Sequence, residues 1–273
     1  MIAIDSHFHP NFPLFSSFLT KRKAHAIWRA FRKHGLSLVL ITEHAYKNPQ
    51  KSYVELLRYR PADHQTFLVP GIECLTSEGI DMIAFSRKPE EIFSHKKLMT
   101  PYGLSITEMV DYIASHDDLY GIVVHPHTPG TTSIARIGGI DVTLNAIKTL
   151  GFLEKHNCSM NALQHVMEKT GLSRIFKKKF SQISETATAP EYLQIEAKIM
   201  TCGSDAHTPS DIGDHMGIDV PYKNDYEYLF SVATTLPGAF YPSLTKPLSG
   251  PLRNIPAVFG EWIIKKFHLY NAE

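Results

Sequence analysis

Ile2-Ala3-Ile4-Asp5-Ser6-His7-Phe8-His9 opens the chain after Met1, and its two halves carry different information. Residues 2–5 form a short apolar run rich in β-branched side chains, the pattern of a buried strand. His7 and His9 follow at a spacing of two, which places both imidazoles on one side of an extended chain. Working outward from this strand, similar runs lie at 36–42, 67–73, 80–85, 121–125, 151–154 and 199–204, making seven expected strands. Helical periodicity is expected between them at 15–33, 52–58, 106–115, 142–150 and 162–169, with a last helix at 257–267. Alternating strands and helices predict parallel crossovers, hence an α/β barrel or an open sheet.

The strand ends repeat the chemistry of the opening segment. Glu43 and His44 follow the second run, Glu73 closes the third, Asp81 lies in the fourth, and His125 and His127 follow the fifth. Glu154 closes the sixth, and Asp205 and His207 follow the seventh. In parallel α/β folds side chains at the C-terminal edge of different strands converge on the active site. The pairs His7/His9, His125/His127 and Asp205/His207 are each expected to point two groups inward. Imidazoles and carboxylates gathered in this way predict a divalent-metal site.

Composition bounds the alternatives. With 273 residues, 43% hydrophobic and 20% charged, the chain has enough apolar mass for one barrel-sized globular domain spanning 1–273. A net charge of +1 provides no overall field toward nucleic acid or an acidic membrane, and leaves room for local basic patches. Three cysteines, Cys74, Cys158 and Cys202, form no CxxC pair and read as buried filler in a reducing compartment. No signal peptide or apolar stretch of about 20 residues is apparent, so the expected location is cytoplasmic, without a membrane partner. Residues 159–198 interrupt the alternation as a helical excursion, expected over the C-terminal mouth. Residues 236–256 hold Pro237, Pro242, Pro247, Pro251 and Pro256, and are expected to form an extended wrap. P-loop, GxSxG and GxGxxG signatures are absent, which removes kinase, serine-hydrolase and Rossmann readings.

Taken in order, Asp5-Ser6-His7-Phe8-His9, Ile41-Thr42-Glu43-His44, Pro70-Gly71-Ile72-Glu73, Val124-His125-Pro126, Glu154-Lys155-His156-Asn157 and Gly203-Ser204-Asp205-Ala206-His207 resemble the motifs of the polymerase and histidinol phosphatase (PHP) superfamily of metal-dependent phosphoesterases. The resemblance implies a distorted (β/α)7 TIM-like barrel with two or three manganese, iron or zinc ions at its C-terminal mouth. By the same resemblance His7, His9 and Asp205 hold a first ion, Glu73 bridges to a second held by His125, and His44 and His207 hold a third or bind substrate phosphate. Asp81 stands where the family usually has a histidine, and Leu14 and Phe15 where it often has a third-site ligand. Thr42-Glu43-His44 replaces the family's TDH, and His95, His116 and His127 are equivalent candidates for the second ion's remaining ligand.

The implied activity is hydrolysis of a small phosphoester by a metal-activated water, with His207 or His44 as general acid. Arg136, Lys155 and Arg174 are candidate phosphate-binding cations. The alternatives are a PHP-type nuclease or phosphodiesterase, a metal-dependent hydrolase of amides or cyclic esters, and a non-catalytic metal-binding module. The sequence leaves the oligomeric state open.

Overall fold

The structure, a computed structural model, describes residues 1–13, 17–127, 133–158 and 188–241. Nine strands form one sheet: β1 (Ile2–Phe8), β2 (Leu38–Ile41), β3 (Phe67–Leu75), β4 (Asp81–Phe85), β5 (Tyr120–Val123), β6 (Phe152–Asn157), β7 (Ile199–Gly203), β8 (His215–Ile218) and β9 (Ala239–Tyr241). Their spatial order is β7-β6-β5-β4-β3-β2-β1-β8-β9. The sheet curls until its ends nearly meet. Asp205 donates its backbone N–H to the His7 carbonyl at 2.7 Å, His9 donates to that of Ala206 at 3.1 Å, and Phe240 of β9 stacks on His156 of β6 at 4.3 Å. The result is a mixed α/β fold built on a nearly closed, barrel-like sheet.

The expected parallel crossovers hold for β1-β2-β3 and for β5-β6-β7, but β4 runs antiparallel to both of its neighbours. The reason lies in the six residues between the third and fourth apolar runs, too few for a crossover of a dozen or more. Thr76 and Ile80 close a tight hairpin instead, with Gly79 at φ 84°, a left-handed conformation that glycine adopts without cost. Reversal puts the start of β4, Asp81, at the same edge as the end of β3. Strands β8 and β9, unforeseen in the sequence, add an antiparallel edge beside β1. The strand Ala239–Tyr241 occupies the start of the expected wrap, and residues 242–256 lie outside the described residues.

Helices cover the outside: α1 (Ser17–Lys33), α2 (Pro49–Arg58), the short α3 (Pro89–Ile92), α4 (Ile106–Ala114), the short α5 (Ile134–Ile137), α6 (Gly139–Leu150) and the short α7 (Glu191–Gln194). The last helix among the described residues, α8 (Tyr226–Thr235), places Phe230 against the barrel interior. The helix start signals are as written in the sequence: Ser105 and Glu108 form a reciprocal capping box on α4, and the Asn48 side chain accepts from Lys51 at the start of α2. Of the excursion 159–198, only residues from 188 onward are described, and these contribute α7; the expected helices at 162–169 and 257–267 lie outside the described residues. Among the described residues no helix is long and apolar enough to cross a membrane.

Strand alternation splits the core in two. Ile2, Ile4, Leu38, Leu40, Val69, Ile83 and Ile122 fill the barrel, whereas Ala3, Val39, Ile41, Met82, Ala84 and Val123 face the helices. Strand β1 changes this parity near its end. A register shift between Asp5 and Phe8 inserts one extra residue opposite β2, which sends Phe8 into the helix-facing layer and turns His7 and His9 inward. Strand β6 carries a second shift, between Glu154 and His156.

Candidate metal centre

The two register shifts, the antiparallel β4 and the ends of β2, β3, β5 and β7 deliver their polar side chains to one buried cluster. Among the described residues three groups each bring their potential ligand atoms within 4.8 Å of one another: His9, His44 and His207; His7, His9 and Glu73; and Glu73, Asp81 and His125. His9 and Glu73 each belong to two groups, so the three form a chain. Asp205 joins it through Oδ1, 3.7 Å from His7 Nε2, 3.4 Å from His9 Nε2 and 3.7 Å from His207 Nδ1. His7, His9, His44, Glu73, Asp81, His125, Asp205 and His207 are therefore all at this site, whereas the further candidates His95, His116 and His127 are not.

The donor set fits a cation. His7 Nε2 and His9 Nε2 face each other at 2.9 Å, His7 Nε2 lies 3.4 Å from Glu73 Oε1, and His9 Nε2 lies 3.7 Å from Glu73 Oε2. Ligand atoms at about 2.1 Å from a tetrahedral ion are about 3.4 Å from one another, so these edges have the dimensions of a coordination shell. His7 Nδ1 sits 2.9 Å from Glu154 Oε1; the carboxylate can only accept, so Nδ1 carries the proton and Nε2 turns its lone pair to the cluster. Buried His125 Nδ1 has no hydrogen-bond partner among the described residues, while its Nε2 faces Glu73 Oε1 at 3.3 Å.

Charge distribution adds a second argument. Burial opposes ionisation of Glu73, but His44, His125 and His7 overcome it and hold the carboxylate well below its usual range. Asp205 is likewise depressed, burial being outweighed by His7, His9 and His207. His9 goes the other way from His7: burial, then His44 and His207, lower it, whereas Asp205 and Glu154 raise His7 against its own burial. The ionised carboxylates and neutral His9 are already in their ligating forms, whereas His7 and His125, both raised against their burial by neighbouring carboxylates, would ligate by releasing a proton as a cation binds.

Local backbone geometry departs from the extended pattern at two of the three expected pairs. His125 has φ 27° and Asp205 φ 45°, both left-handed, so their partners two residues on do not follow strand alternation. His127 consequently points away, its Nε2 3.1 Å from the hydroxyl of Tyr192. His207 still reaches the cluster; its Nδ1 donates to the Asp205 carbonyl at 3.0 Å. His95 and His116 are also excluded as ligands. His95 is held between Tyr112 OH and Asp118 Oδ2, both at 3.0 Å, with His116 packed edge-on against it.

Among the candidate phosphate-binding cations, Arg136 donates to the His127 carbonyl at 3.0 Å, and Lys155 acts on His156, whose imidazole is lowered to about 4 by burial and by that charge. Arg174 lies outside the described residues. Among the described residues other cations reach the mouth: Lys23 Nζ donates to the carbonyls of His207 and Asn11 at 3.0 and 2.7 Å, and Lys47 Nζ to Asn11 Oδ1 at 3.1 Å. The cysteines are buried away from the cluster's donor groups, with Cys158 and Cys202 in contact with each other at 3.8 Å.

Glu154 has a role that spacing alone missed. Besides orienting His7, its Oε2 accepts the backbone N–H of His125 at 2.8 Å and the amide of Asn157 at 3.3 Å, and Asn157 also donates to Asp205 Oδ2 at 3.1 Å. One buried carboxylate thus aligns His7 and His125 directly and Asp205 through Asn157, and the signal for it was the Glu154–Asn157 motif itself. Glu154→Gln is expected to lower metal affinity about 10–100-fold, as loss of an outer-shell partner does, without unfolding the barrel; equilibrium dialysis against a metal buffer measures it. Glu43 has a comparable place beside His9, accepting from Asn11 N at 2.6 Å and Ser52 Oγ at 3.3 Å.

No family model and no curated protein matches the chain. Among solved structures, the crystal structure of PsfC from Pseudomonas syringae PB-5123 aligns with a TM-score of 0.60 over 98% of this chain and 99% of that one, at 12% sequence identity. That likeness establishes a shared fold.

Proposed function

We propose that the protein is a metal-dependent phosphoesterase on a distorted (β/α)7 barrel of the PHP type, acting on a small phosphoester in the cytoplasm. The observation that carries this reading is the chain of three ligand groups linked through His9 and Glu73, which suits two or three adjacent divalent cations. Manganese, iron or zinc bound there supplies a Lewis acid for the phosphoryl oxygens and lowers the pKa of the attacking water.

The protein's own part is positional and electrostatic. His7, His9 and Asp205 would hold a first cation and Asp81 and His125 a second, with Glu73 within reach of both. Glu154 and Asn157 fix the orientation of the ligands around the first position. With two cations His44 and His207 would be left to deliver a proton to the leaving alkoxide; a third cation would take these two imidazoles as its ligands, His9 being engaged with the first. Lys23 and Lys47 bring positive charge to the mouth and brace the segment at Asn11, which has φ 44°. No covalent protein nucleophile is required.

Reconstitution with Mn²⁺, followed by a panel of phosphomonoesters, phosphodiesters, single-stranded oligonucleotide and amide substrates, tests the reading. Turnover of small phosphoesters is expected, and His125→Ala is expected to lose bound metal and activity together. Amide turnover alone, faster cleavage of the oligonucleotide, or tight stoichiometric metal with no turnover at all would replace this reading by one of its rivals.

A further inference from the structure

We propose that the outer face of α1 forms a binding site, separate from the metal centre, for a small molecule carrying two phosphate groups. Helix α1 holds six basic residues and no acidic one within a chain of near-zero net charge. Its buried face is Thr20, Ala24, Ile27, Trp28 and Phe31, which leaves Arg22, His25, Arg29 and Arg32 as a stripe along the opposite side.

The stripe is concave. A cavity of about 440 Å³ is lined by Arg22, His25, Arg29, Arg32 and His64, with Asp63 its one acidic wall. Asp63 is engaged by Arg32 at 2.8 Å, an exposed pair that contributes little and is readily exchanged for a better anion. Among the described residues Arg22 and Arg29 have no carboxylate partner. His64 is committed to the wall: its Nε2 donates to the Trp28 carbonyl at 2.7 Å, and Nδ1 accepts from Thr66 N at 3.2 Å. Arg60 stands behind it, 5.9 Å from the Trp28 ring, adding to the positive field.

Spacing sets the ligand class. Arg29 and Arg32 are three residues apart, about 4.5 Å of helix rise, close enough for both guanidinium groups to grip one phosphate. Arg22 lies seven residues from Arg29, about 10.5 Å, and reaches a second. A neighbouring cavity of about 520 Å³ shares Arg32, Asp63 and His64 and continues over Ser37, Gln65 and Tyr222, giving a polar lobe for the organic part of the ligand. Ser37 precedes β2 and Thr66 precedes β3, so this lobe lies at the N-terminal end of the strands, opposite the metal centre.

Calorimetric titration with pyrophosphate tests the proposal on metal-loaded wild type, Arg22→Glu/Arg29→Glu and His125→Ala proteins. The α1 site is expected to persist in the His125 variant and to weaken at least tenfold in the double variant, whose metal content remains that of wild type. Arg22→Lys/Arg29→Lys, which keeps the charge but loses the fork, is expected to fall between. Undiminished binding in the double glutamate variant, or complete loss in His125→Ala, would overturn the proposal. So would a twelve-nucleotide single strand that outcompeted pyrophosphate at these arginines. The readout is binding, so its outcome is independent of whether the metal centre hydrolyses phosphoesters.

Discussion

Glu73→Gln is expected to remove most of the bound metal and to reduce phosphoester hydrolysis by more than about 100-fold, beyond the range typical of outer-shell partners. Glu73 is the shared carboxylate: its Oε1 faces His7 at 3.4 Å and His125 at 3.3 Å, and its Oε2 contacts His44 and lies 3.7 Å from His9. Glutamine preserves volume and rotamer length but cannot be anionic, so two ligand groups lose their common negative charge at once. Elemental analysis of the purified variant, paired with steady-state rates, checks this. A Glu73→Gln protein with wild-type metal content and rate would show that the cluster is a structural polar network.

The other large effect comes from a residue with no functional group. Gly203 ends β7, and a Cβ built there overlaps the Cβ of His7 in β1 and lies 2.6 Å from Oε1 of Glu154 in β6. Gly203→Ala must therefore displace both a ligand and the carboxylate that orients it. Overpacking of this kind costs about 1–3 kcal/mol, which in a domain of this size lowers Tm by several degrees. Metal binding is expected to fall along with it. Gly35→Ala provides the contrast: φ is +61° there, but nothing lies within 4 Å, so strain destabilises the fold while metal content is retained. Calorimetric melting and metal analysis of the two variants distinguish close approach at the site from general loss of stability.

Much of this site was readable before any coordinates because it is written as strand ends. His7, Glu73, His125 and Asp205 are each the terminal polar residue of an apolar run, and a sheet whose strands end at one mouth brings such residues together whatever the loops do. What could not be read is what depends on register. The extra residue between Asp5 and Phe8 decides that His7 and His9 face inward while Ile2 and Ile4 do so too, and a period-two pattern alone cannot express that change. The left-handed conformations of His125 and Asp205 are likewise set by tertiary contacts, and for that reason His127 was misplaced. By contrast, the antiparallel β4 had a signal in its six-residue connection. The same length argument explains why Asp81, at the beginning of a strand rather than its end, still reaches Glu73 and His125. The basic stripe on α1 was also legible as periodicity, though a near-zero net charge concealed it.

On the proposed reading these imidazoles and carboxylates surround cations. Anomalous diffraction from crystals grown with Mn²⁺ tests it most directly. Strong peaks are expected in the spaces bounded by His7, His9 and Glu73 and by Glu73, Asp81 and His125, with a third beside His44 and His207 if that position fills. A map at full manganese supply with no peak in the cluster, its polar atoms bonded only to one another and to water, would contradict it.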